Sequence, residues 1–183
     1  FYIRSIMTNL SFAHFAYLLV IIIDLLVAGL SFSNKDKRGR YLGFSVLSAV
    51  VITASYEVCL LTDNKLLFSC MSSIYFMFVD TMLLFLLYFS VLFTRLETKN
   101  EFYFYKPIRF GLQVWLICDF LMMLINPFTG IAIEYVPVQG QIARFDYNLL
   151  PLYWFHHAFT YILVAIIVII FLIRAKKVPL IYK

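Results

Sequence analysis

Four carboxylates and three imidazoles interrupt stretches of this chain that are otherwise apolar: Asp24, Glu57, Asp80 and Asp119, with His14, His156 and His157. A charged side chain at the centre of a bilayer costs at least ~2.5–3.5 kcal/mol, so each of these groups asks for a reason if its stretch crosses a membrane. Two chemistries fit. The groups could face a water-filled cavity and bind a ligand or a proton there. Alternatively each carboxyl stays neutral and hydrogen-bonds a neighbour such as Thr53, Ser55, Thr81 or Tyr88, holding helices together. The sequence leaves both open, with Asp24 and Asp80 closer to the structural role and Glu57, Asp119, His156 and His157 closer to the ligand or proton role. Adjacent helical residues point about 100° apart, so at most one of His156 and His157 faces such a cavity fully, and His156 is the one favoured.

Other chemistry finds little support. His, Glu and Asp are zinc ligands in principle, but no pair has ligand spacing on one helix, so neither a metal nor any other cofactor is expected. There is no HExxH, GxSxG, P-loop or paired CxxC, and no inner loop is long enough for a catalytic domain, so this segment is not expected to be an enzyme. Cys59, Cys70 and Cys118 lie in apolar runs, where a free thiol acts as a small hydrophobe; a Cys59–Cys70 bridge is the one conceivable pairing.

The elements that position these groups follow from hydrophobicity. At 63% hydrophobic residues and a mean hydropathy of +0.91, the chain is far more apolar than a soluble domain, where roughly 45–50% is usual. Spanning helices need about 20 apolar residues, and five segments qualify, at about 10–33, 41–62, 66–94, 107–126 and 151–173. The third is long for a flat crossing and is expected to tilt or protrude at the end running into Arg95. Short links around Ser33–Arg40 and Thr62–Asn64 make the first three helices antiparallel neighbours. The only long loop, from Asn126 to Leu150, holds two strand-like runs, Ile131–Val138 and Ile142–Tyr147, around Gln139-Gly140-Gln141. It reads as a small hairpin lying over the bundle, with Pro127 and Gly130 marking the exit from the fourth helix. The fold class is therefore an all-α membrane bundle of five antiparallel helices, one domain over residues 1–183, with an extracellular β-hairpin.

Charge sets the orientation. Of fifteen Lys and Arg residues, twelve fall in alternate gaps: Lys35, Lys37, Arg38 and Arg40, then Arg95, Lys99, Lys106 and Arg109, then Arg174, Lys176, Lys177 and Lys183. Loops rich in Lys and Arg stay in the cytoplasm, which places the N-terminus outside and the C-terminus inside the cell membrane. The net charge of +5 is read as topology and contact with anionic lipid rather than nucleic-acid binding. Aromatic residues near the predicted span ends, such as Tyr147, Tyr153 and Trp154, fit interfacial belts. No small-residue cleavage site follows the first apolar run, so no signal peptide is expected. The start on Phe1 and the stop in an inner loop read as a piece of a longer architecture.

With this topology, depth can be counted at 1.5 Å per residue. Glu57 lies on the order of 8 Å and Asp119 roughly 10 Å from the outer ends of their helices, and His14, His156 and His157 lie about five residues in from the same side. These five groups form one expected outer layer. Asp80 falls near mid-membrane and Asp24 somewhat deeper, as a floor to that layer or as an intramembrane polar link.

Several stretches carry a resemblance: Lys37-Arg38-Gly39-Arg40-Tyr41 entering the second helix, Ala54-Ser55-Tyr56-Glu57, Asn126-Pro127-Phe128, and Pro151-Leu152-Tyr153-Trp154-Phe155-His156-His157-Ala158-Phe159-Thr160-Tyr161 after the hairpin, followed by the basic, Pro-containing segment Arg174–Lys183. The chain resembles the N-terminal seven-helix sensor region of bacterial membrane histidine kinases and diguanylate cyclases. That resemblance implies two further helices and a cytoplasmic GGDEF or kinase domain beyond this segment. It also implies polar site positions at Tyr56, Glu57, Asn126 and His156. The expected function is then a ligand-sensing input module, working as a homodimer and taking an extracellular small ligand or a proton. The alternative is a transporter or channel component in which Asp24 and Asp80 lie on an ion path.

Overall fold

Each apolar run lacks an interior glycine cluster and ends at a polar punctuation, so each becomes one long helix. The computed structural model describes residues 2–33, 36–93, 101–138 and 145–177, with side chains described for 12–33, 36–93, 106–138 and 145–173. It contains helices α1 (Tyr2–Ser33), α2 (Lys37–Leu61), α3 (Lys65–Phe93), α4 (Glu101–Thr129) and α5 (Tyr153–Lys177), with strands β1 (Ile133–Pro137) and β2 (Phe145–Leu149) between α4 and α5. All five helices are long and apolar enough to cross a membrane, which supports a multi-pass membrane protein.

Local chemistry sets the helix ends. Asp36 caps α2: its side chain accepts from Arg38 N at 3.1 Å. Arg38 Nε also donates to it at 2.5 Å, and these bonds hold the partly exposed Asp36 carboxyl below the usual carboxylate range. Asn64 Oδ1 accepts from Leu66 N at 2.9 Å and Leu67 N at 3.2 Å, starting α3 three residues after α2 ends. α4 runs through Pro127 and stops at Gly130, whose φ of +62° is the left-handed termination that glycine takes without steric cost. The fourth helix therefore ends a few residues later than the expected exit at Asn126. Its start and that of α1 lie earlier than the apolar runs alone indicate.

Helices α3, α4 and α5 form the core, and each buries one stripe at helical spacing. On α3 it includes Ser69, Ser73, Met77, Asp80, Leu84 and Leu87; on α4 Leu112, Asp119, Met123 and Asn126; on α5 Tyr153, His156, Phe159, Leu163 and Ile167. One apolar cluster, including Leu84, Leu87, Leu112, Phe159 and Leu163, fills the end away from the hairpin. A second, including Met77, Met123, Ile133, Tyr135 and Tyr153, joins the hairpin to the helices. α2 packs on α3 through small residues, Ser45, Ser48 and Ser55, which let the backbones approach, while Gly43 lies against the Phe32 ring of α1; Ser45 Oγ donates to the Met82 carbonyl at 3.0 Å. α1 lies outermost against α2 with mostly exposed apolar side chains.

The hairpin pairs β1 and β2 antiparallel in the register Ile133↔Leu149, Tyr135↔Tyr147 and Pro137↔Phe145. The expected second strand, Ile142–Tyr147, is displaced two residues at its far end: pairing continues to Leu149, and Leu150 N donates to the Ala132 carbonyl at 2.9 Å. The expected turn residues Gln139–Gln141, and Ile142–Arg144, lie outside the described residues. The segment around Arg95 and Lys99, where the third helix is expected to protrude, does too.

Candidate functional site

Asp80, Asp119 and His156 meet where the two apolar clusters join, one from each of the three core helices. Asp80 and Asp119 are 0% and His156 2% exposed. His156 Nδ1 lies 3.1 Å from both Asp119 Oδ1 and Asp119 Oδ2, and 3.2 Å from Asp80 Oδ2. Thr160, one turn along α5, donates from Oγ1 to Asp80 Oδ1 at 2.5 Å. Asp80 Oδ2 is buried without a hydrogen bond. The three helices are thus tied by ionisable side chains at a point between the two apolar clusters.

This grouping departs from the expected layering, which placed Asp119 and His156 in an outer ring and Asp80 with Asp24 below it. At 1.5 Å per residue, Asp80 lies about 22 Å from the start of α3, Asp119 about 15 Å from the end of α4, and His156 only about 4–5 Å from the start of α5. These depths coincide only if α5 begins well inside the bundle. The hairpin occupies the notch above it. Tyr135 of β1 reaches α3 there, donating from its hydroxyl to Ser72 Oγ at 2.8 Å, and burial pushes the Tyr135 phenol up against the opposing effect of that bond.

A cavity of about 300 Å³ opens between the hairpin, α2, α3 and the start of α5. Its polar groups are the phenols of Tyr56, Tyr75, Tyr147 and Tyr153, the Ser72 hydroxyl and the Cys59 thiol; Phe68, Phe76 and Phe145 supply apolar walls, and among the described residues no charged side chain lines it. Such a lining suits a small, uncharged ligand carrying an apolar or aromatic body and a few hydrogen-bonding groups. The cavity touches the buried cluster through its floor. Phe76 packs edge-on against the His156 ring at 5.4 Å, and Tyr153 tilts against it at 5.7 Å.

The remaining expected site residues lie apart from the cluster. Glu57 pairs with His14, fastening α1 to α2, with Glu57 Oε1 facing His14 Nδ1. Tyr56, one residue before it, lines the cavity and packs on Tyr17 of α1 and Tyr75 of α3. His157 stands outside the cluster among the rings of Tyr153, Trp154 and Tyr161. Asp24 is half-exposed on α1, so the polar link expected between Asp24 and Asp80 is instead made by Asp80 with α4 and α5. Asn126 is spent on the backbone: Oδ1 accepts from Ala132 N and Ile133 N at 2.9 Å each, and Nδ2 donates to the Ile133 carbonyl at 3.2 Å. Cys59 and Cys70 are free thiols.

Sequence reasoning missed Thr160, Tyr75 and Ser72. Thr160 was findable, since it stands one turn after His156 on the same face. Tyr75 and Ser72 carried no signal, because phenols and hydroxyls are common in apolar helices and only the hairpin's placement gives these two a role. Comparison with protein-family models, with curated proteins and with solved structures finds no match.

Proposed function

We propose that this segment is a transmembrane ligand-sensing input module of a signalling receptor. The observation that carries the reading is the aromatic cavity under the hairpin, because its floor, Phe76 and Tyr153, packs on the imidazole that ties α3, α4 and α5 together. A ligand there touches two side chains, Phe76 and Tyr153, that pack directly on the polar junction of three spanning helices. In the proposed orientation the hairpin end faces outward and the Lys- and Arg-rich ends face the cytoplasm. The signal leaves along α5 to an output enzyme outside this chain, a diguanylate cyclase or a histidine kinase, within a homodimer. The ligand biases two packings of the helices only by its differential affinity for them.

The test is the thermal stability of the detergent-solubilised protein against a library of small uncharged aromatic and polyhydroxylated compounds. A true ligand at 100 times its Kd stabilises the fold by about 2.7 kcal/mol. That gain should vanish in Tyr75→Ala and Tyr147→Ala while persisting in Glu57→Gln, whose side chain lies outside the cavity. A stabilising compound whose effect survives both cavity substitutions would refute the assignment.

The buried cluster itself favours a second reading, a transporter or channel component, since ionisable groups inside a membrane often mark ion paths. Burial argues against an open path: Asp80 and Asp119 expose nothing to either side. Proton or cation flux in proteoliposomes that is lost in Asp80→Asn would reverse this ranking.

A further inference from the structure

We propose that Asp80, Asp119 and His156 form a binding site for a divalent transition-metal ion, zinc by the character of its ligands. The inference stands on these atoms alone and is independent of what fills the aromatic cavity. The candidate ligand atoms of the three residues all lie within 4.8 Å of one another. A single nitrogen, His156 Nδ1, faces three carboxylate oxygens at 3.1, 3.1 and 3.2 Å. One N–H cannot point at three acceptors, and a charge-assisted N–H···O bond draws in to about 2.7–2.9 Å. A tetrahedral zinc ion, bound at about 2.0–2.1 Å to nitrogen and oxygen, holds its ligand atoms about 3.3 Å apart along each edge. The separations from Nδ1 to Asp119 and to Asp80 Oδ2, 3.1 and 3.2 Å, fall between the short hydrogen bond and that edge, so a small shift seats both residues on a shared ion.

Two further observations point the same way. Asp80 Oδ2 is wholly buried, has no hydrogen bond and faces His156 Nδ1, the arrangement of an oxygen aimed at a shared ion. Its other oxygen is held by Thr160 Oγ1 at 2.5 Å, the kind of outer hydrogen bond that orients ligating carboxylates. Charge completes the argument. Two ionised carboxylates, a neutral imidazole and a divalent cation sum to zero, so the ion neutralises the carboxylates between two apolar clusters where an uncompensated charge is costly. The expectation of no metal site rested on ligand spacing within one helix; these ligands come from three.

The experiment uses tag-free protein in detergent, stripped with a chelator, dialysed against zinc and analysed by mass spectrometry for bound metal, with folding followed by circular dichroism and gel filtration. Wild type and His14→Gln, which removes the other imidazole–carboxylate pair, should each hold about one zinc per chain, and His156→Ala and Asp119→Asn should hold less than about a tenth. Thr160→Val keeps all three ligands and should lower zinc affinity by about 10–100-fold. If His156→Ala does not fold, cobalt loading decides: wild type should show visible d–d absorption, and His156→Cys should add a thiolate-to-cobalt band. Folded wild type that takes up no zinc or cobalt, or a folded His156→Ala that keeps a full equivalent, would overturn the assignment.

Discussion

Replacing Asn126 by Ala tests whether this side chain anchors the hairpin or contacts a ligand. Its Oδ1 is the acceptor for two backbone N–H groups, those of Ala132 and Ile133, and all three residues are at most 1% exposed. Removing the acceptor leaves two buried donors, each worth about 1–3 kcal/mol when unsatisfied, so the first estimate is about 2–6 kcal/mol. Water can reach the notch once the anchor is gone, which brings the expected local cost to roughly 2–4 kcal/mol. At 1.36 kcal/mol per tenfold, amide hydrogen exchange at Ala132 and Ile133 should accelerate by about 30- to 1,000-fold. Exchange in the second half of α3, from Leu83 on, and in the lower part of α5 should hardly change, because the apolar cluster at that end does not include the hairpin. Asn126→Asp keeps the acceptor and loses only the donor to the Ile133 carbonyl, so it should fall between the two. Exchange at Ala132 and Ile133 altered by less than about threefold in Asn126→Ala would refute the anchoring role.

Two further outcomes follow from packing and charge. Phe159, fully buried and stacked on Trp115 at 5.4 Å, leaves on the order of 100 Å³ when cut to Ala; at about 24 cal/mol per Å³ this costs about 2–3 kcal/mol in mixed-micelle unfolding, below the soluble-protein range because lipid replaces water as the reference, and a loss under about 1 kcal/mol would contradict it. The Asp36 carboxyl is held below its ordinary value by Arg38, so the cap's contribution is complete above the unfolded value near pH 4 and is lost as pH falls through the lower folded one; protection of the first α2 amides in wild type should drop below about pH 4, and Asp36→Asn should flatten that dependence.

The spans were readable from sequence because a run of apolar residues of bilayer length has few other uses, and each expected span overlaps a helix. The hairpin was readable because Ile133 to Pro137 follows α4 and its glycine stop, although its register and its anchoring were not: the start of β1 is held by Asn126, a single amide whose bonds no periodicity reveals. The individual polar residues were visible for the same reason as the spans, being out of place in apolar runs. Their grouping was not. Counting depth from helix ends assumes that all helices begin at one level, and α5 begins deep in the bundle with the hairpin above it. That single displacement brings His156 to the level of Asp80 and leaves Glu57 with His14 as a separate pair.

In the proposed sensor the strength of the cluster constrains how the signal can travel. Breaking a buried ion-paired or coordinated group away from its partners costs about 3–5 kcal/mol, whereas a ligand at 100 times its Kd supplies about 2.7 kcal/mol in all. At that concentration a ligand in the aromatic cavity supplies less than the cost of pulling His156 off both carboxylates. It can move Tyr153, which lies one turn above His156 and both lines the cavity and packs on the imidazole. The motion that remains is a pivot of α5 about His156. From His156 to Lys177 the helix is about 32 Å long, so a tilt of about 3° displaces its far end by roughly 1.7 Å, within the range of helix shifts that switch other proteins. The end that moves is the one carrying the basic residues, and the end that is pushed lies beneath the hairpin. The cluster then acts as a fulcrum, and weakening it should uncouple the two ends even where ligand binding is intact.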